Sequence, residues 1–78
     1  MNEPEQEAIN SYIEWRELAA EAAEAYARWA AAPVSQRERR FSEYRVALDE
    51  EEFAAICYGL AAVTVQRRRQ QQQGNRAR

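Results

Sequence analysis

The chain has 78 residues, 46% of them hydrophobic, and a net charge of −2, which bounds it to one small domain that buries a limited share of its surface when alone. It contains no histidine, the commonest general base and metal ligand, and no apolar run approaches the ~18 residues that span a bilayer. The single cysteine, Cys57, makes no internal disulfide and gives no sign of an oxidising compartment, so the cytoplasm is the expected location.

The first helix is predicted over about residues 4–32. Asn2 is placed to cap it, Pro4 suits its first turn, and Glu3, Glu5 and Glu7 put negative charge at the positive end of the helix dipole. Ala8, Tyr12, Trp15, Ala19, Ala22, Tyr26 and Trp29 are separated alternately by four and three residues, the spacing of a helix seam. Tyr-x-x-Trp occurs twice in that seam, as Tyr12/Trp15 and Tyr26/Trp29, two heptads apart and therefore on one face. At 100° per residue the polar residues Asn10, Glu14, Glu17, Glu21, Glu24 and Arg28 form a narrow stripe. The remaining apolar arc is wider than one neighbouring helix covers, so at least two neighbours are expected.

Pro33 ends this helix, and residues 33–35 are read as a turn. Ser35-Gln-Arg-Glu38 matches a capping box that opens a second helix over about residues 36–69, with Ser35 as N-cap. So short a connection makes the pair an antiparallel hairpin. Phe41, Tyr44 and Leu48 form the inward face at first, whereas Phe53, Ile56, Leu60 and Val63 dominate beyond Asp49. This change of phase leaves two readings open: one continuous helix, or a break near Asp49 that makes the chain three-helical. Gly59 weakens a helix interior unless it admits a close neighbour, and Cys57 is expected to pack beside Ile56, Tyr58 and Leu60. Residues 71–78 read as a flexible basic tail on a single domain of residues 1–70.

With the turn near residue 34, facing positions have numbers summing to about 68. Trp15 then meets Phe53, Tyr12 meets Ile56, and Tyr26 and Trp29 surround Phe41. The same arithmetic pairs Arg16 with Glu52 as an ion pair that sets the register. It also sets the acidic start of the first helix beside the Arg-rich end of the second, because residues 1–24 carry seven Glu against one Arg while residues 65–78 carry five Arg and no acid.

No residue pattern points to catalysis, a cofactor or a metal, since the Glu-x-x-His pairs of a di-metal bundle are absent. Trp29-Ala-Ala before Pro33 lacks the glycine of the Trp-x-Gly turn in small secreted helical hairpins. The expected fold is an all-α hairpin that dimerises into a four-helix bundle. The expected role is a non-enzymatic adaptor or scaffold acting on itself or another helical protein. Its interaction face is Tyr12, Trp15, Tyr26, Trp29, Phe41, Tyr44, Leu48, Phe53, Ile56 and Leu60. The alternative is a nucleic-acid accessory protein whose Arg67, Arg68, Arg69, Arg76 and Arg78 grip phosphates; no aromatic residue is interleaved with them to stack on bases.

Overall fold

Two long helices and a tight connection account for the described residues. The computed structural model describes residues 3–76, in which α1 spans Glu3–Ala30 and α2 spans Val34–Arg76, antiparallel to α1. Glu3 and Glu5 lie in the first turn of α1 and Arg28 in its last, each beside the dipole end of opposite sign. Asn2, the expected cap, lies outside the described residues.

The connection differs from expectation at both sides. α1 ends at Ala30, not Ala32, because the residue before a proline is driven out of the helical region; Ala31 N donates to Ala27 O and Ala32 N to Trp29 O, each at 3.1 Å. α2 begins at Val34, so Ser35 sits inside its first turn and does not serve as the N-cap of a capping box. The ring of Pro33 presets φ near the helical value, and the new helix forms directly on it, with Gln36 N donating to Pro33 O at 2.9 Å.

α2 is one uninterrupted helix of 43 residues. Ala, Leu and Glu around Asp49 all favour helix, and the change of phase there is a change of face, not a break. The helix also runs past Arg69 to Arg76, over residues expected to be a loose tail, because Gln and Arg are good helix formers and nothing before Gly74 interrupts them. It outruns α1, whose start is reached where Arg69 Nη2 lies 3.7 Å from Glu5 Oε1. The expected meeting of acidic and basic ends is thus present.

The molecule measures 67 × 17 × 13 Å with a radius of gyration of 18.4 Å, against about 11.5 Å for a compact domain of this length. Its accessible surface is 6300 Å², where a compact protein of the same mass exposes about 4,900 Å². Among the described residues the buried hydrophobic ones are Ala22, Ala25, Ala32 and Ala54, with no large side chain fully enclosed. Alanine lets helix axes approach closely, but each contributes little burial. A hairpin of this kind has surface to spare and little core.

Candidate functional site

Aromatic rings hold α1 against α2 in two clusters of nearly the same geometry. In each, a Tyr and a Trp from α1 close on one Tyr of α2. Tyr12 meets Trp15 edge-on with centroids 6.0 Å apart, and Tyr26 meets Trp29 at 5.7 Å. Tyr12 meets Tyr58 and Tyr26 meets Tyr44, both at 5.4 Å and again edge-on. Trp15 stacks on Tyr58 at 5.7 Å and 10°, and Trp29 on Tyr44 at 5.8 Å and 9°. Advancing two heptads on α1 and retreating two on α2 maps one cluster onto the other, which is the translation an antiparallel pair permits. Edge and offset-stacked contacts of this kind add about 0.5 to 1.5 kcal/mol each beyond burial.

The partners are therefore not those of the simple arithmetic. Trp15 packs on Tyr58 instead of Phe53, and Tyr12 on Tyr58 instead of Ile56. The Tyr–Tyr pairs sum to 70 and the Trp–Tyr stacks to 73. Helical side chains lean toward their own N-terminus: those of α1 reach away from the turn and those of α2 toward it. Contact between long rings consequently joins residues with a higher sum than that of backbone atoms at one level. The expectation for Trp29 and Phe41 holds, with centroids 5.1 Å apart.

A cross-helix hydrogen bond distinguishes the two clusters. Trp15 Nε1 donates to Glu51 Oε1 at 2.7 Å in a partly buried position, which ties Glu51 to the seam. Two heptads back on α2 the corresponding position is Arg37, which has no acceptor for Trp29. The expected Arg16–Glu52 ion pair is not formed: both side chains are exposed, because Glu51 and not Glu52 faces α1. We expect Glu51→Ala to lower the stability of the hairpin by about 1 kcal/mol, below the ~1.5 to 3 kcal/mol usual for a hydrogen bond to a charged group because the site is only partly buried. Glu52→Ala should leave it unchanged, as chemical denaturation at one fixed protein concentration would show.

The ten residues expected to share one interaction face divide between two. Tyr12, Trp15, Tyr26, Trp29, Phe41, Tyr44 and Leu48 lie on the seam inside the hairpin or at its edge. Phe53, Ile56 and Leu60 lie elsewhere: they are 70%, 61% and 66% exposed, joined by Val46 at 57% and Val63 at 44%. At 100° per residue these five centre about 180° from the side of α2 that meets α1. The surplus apolar surface anticipated on the first helix is thus mainly on the back of the second. α1 adds exposed Ile9 and Ile13 and the outer edges of Tyr12 and Tyr26.

Cys57 is a free, exposed thiol, not a packed one, because it flanks this outer stripe. Gly59 is open too: a Cβ built there meets nothing within 4 Å. An open groove of about 480 Å³ runs beside Phe53, with Leu18 and Ala54 on its floor and Glu14, Asp49 and Glu50 on its rim. Among the described residues no three His, Cys, Asp or Glu side chains converge to hold a metal. Among them, too, no helix is long and apolar enough to cross a membrane.

Of the Arg residues considered for nucleic acid, Arg67, Arg68 and Arg69 are exposed on helical turns of α2, and Arg69 is drawn to Glu5. Arg76 ends α2 and Arg78 lies outside the described residues. No family model, curated protein or solved structure matches the chain.

Proposed function

We propose that this is a small non-enzymatic helical protein that works by protein–protein association, with the outer stripe of α2 as its working surface and a second copy of itself as the first partner. The observation that carries this reading is the contrast between a seam in which, among the described residues, only alanines are fully buried and the rings stay partly exposed, and a stripe containing Phe53, Ile56 and Leu60, each more than three-fifths exposed. Contiguous apolar patches on small proteins mark interaction sites. The hairpin's surface exceeds that of a compact protein by more than the roughly 800 Å² that one partner contributes to a standard interface.

Hydrophobic residues of this size placed in water forgo about 1.5 to 3 kcal/mol each relative to full burial. A domain whose seam is alanine and half-buried rings has little with which to offset that loss. Association supplies the missing burial, and the adaptor or scaffold role rests on the same face.

Sedimentation equilibrium tests this reading directly. A dimer at micromolar concentration is expected, and because the dimer is the more stable species the melting temperature should rise with protein concentration. A monomer with a concentration-independent melting temperature would overturn it.

A further inference from the structure

The outer stripe of α2 has an order along its length that specifies how a second copy would lie on it. Its positions follow a heptad seam, with steps of three and four alternating: Val46, Asp49, Phe53, Ile56, Leu60, Val63 and Arg67. Four consecutive apolar residues are therefore bounded by an acid on the N-terminal side and a base on the C-terminal side. All of these side chains are exposed in the hairpin.

From this pattern we propose that two copies pack α2 against α2 in antiparallel orientation, with Asp49 of each facing the partner's Arg67. The orientation rests on the homodimer reading above and adds to it a direction and a register. In a parallel pair, like positions face each other, so Asp49 would meet the partner's Asp49 and Arg67 the partner's Arg67, two like-charge contacts in the seam.

In the antiparallel register set by Asp49 and Arg67, Phe53 meets the partner's Val63 and Ile56 meets the partner's Leu60. The two-fold axis repeats both contacts, which makes four apolar layers closed at each end by opposite charges. Sliding by one heptad in either direction sets a charge against an apolar residue, Asp49 against the partner's Leu60 or Arg67 against the partner's Ile56. The register is fixed by both terms together.

The flanks agree. The axis passes near Gly59, which lies on the flank of the stripe, about 90° from its centre, and puts no side chain in the partner's way there. Glu50 then falls opposite the partner's Thr64, whose hydroxyl already donates to Leu60 O at 3.0 Å. Glu52 falls opposite the partner's Gln66. No like charges meet on either side. Because the stripe lies on the side of α2 away from α1, each α1 stays on the outside, and the four helices form a row with the two α2 helices at its centre.

Charge reversal separates this register from dimerisation itself. With the full chain in sedimentation equilibrium at low salt, Asp49→Arg and Arg67→Asp should each weaken the dimer by about tenfold, since each reversal turns two attractive contacts into repulsive ones. The double variant Asp49→Arg/Arg67→Asp should return to within about threefold of the original dissociation constant. If the unaltered chain dimerises but the double variant stays as weak as the single ones, or neither single variant weakens it, the antiparallel register is wrong while the association reading stands. If the unaltered chain is monomeric, the association reading itself has failed.

Discussion

Ile56→Arg should turn the protein into a helical monomer. Ile56 is 61% exposed in the hairpin and lies on the side of α2 turned away from α1, so the fold of the single chain loses little when it is replaced. Across a two-fold interface the substitution acts twice. It removes burial of about 1 to 2 kcal/mol per side chain, the share that the 61% exposed surface can still gain, and leaves a charge to be desolvated without a partner. A rise of the dissociation constant by at least about 100-fold follows. Circular dichroism should remain helical while sedimentation reports the monomer, and the concentration dependence of melting should disappear with it. A variant that dimerises as well as the original chain would remove the outer stripe from the interface.

Trp15→Ala should do the opposite and strike the hairpin itself. The indole stacks on Tyr58, meets Tyr12 edge-on and donates to Glu51, so one truncation removes two ring contacts and leaves the carboxylate without its cross-helix donor. Large-to-small changes at fully buried Trp cost about 3 to 5 kcal/mol. Trp15 is half-buried, and we expect about 2 to 3 kcal/mol, a large share of the roughly 4 to 12 kcal/mol that stabilises a domain of this length. Trp15→Phe should fall between, keeping a ring over Tyr58 but losing the N–H. Measured by urea denaturation, an effect of Trp15→Ala no larger than that of Glu52→Ala would mean that the two helices are held by something other than these clusters.

These substitutions separate two surfaces that look like one in the sequence. Aromatic and aliphatic residues at helical spacing run through both helices, and in a list of letters Phe53 is a better partner for Trp15 than Tyr58 is. The difference is angular. Tyr44 and Tyr58 are two heptads apart on α2, matching the interval between the two Tyr-x-x-Trp pairs on α1, and that coincidence was the available sign that the tyrosines complete the clusters. Phe53 and Leu60 share an interval of one heptad with Val46, which marks a second stripe. Both intervals were legible; which of them faced α1 was not, because hydrophobicity alone does not rank Phe against Tyr at a seam that exposes the hydroxyl edge of each ring to water.

Several local features could be read directly. The helical class, the single turn at Pro33, the antiparallel pairing and the meeting of Glu5 with Arg69 follow from propensity, proline geometry, a short connection and charge asymmetry, all of which act over a few residues or along a whole helix. The capping box was read from a local pattern and lost to another local term, since Pro33 already sets the helical φ. Glu51 escaped notice because four consecutive acids at positions 49–52 look alike as letters, while each points in a different direction, 100° apart, on the helix.

Local signals along the chain are enough to specify the kind of object this is: two amphipathic rods joined at a proline, with an acidic start that folds back beside a basic end. Which side of the second rod faces the first emerges when the two helices pack, and with it that Tyr44 and Tyr58 lie inside while Phe53, Ile56 and Leu60 lie outside. The reason is geometric. Helix formation depends on neighbours within about four residues, whereas the choice of face depends on how side chains tens of residues apart lean toward one another when two axes come together.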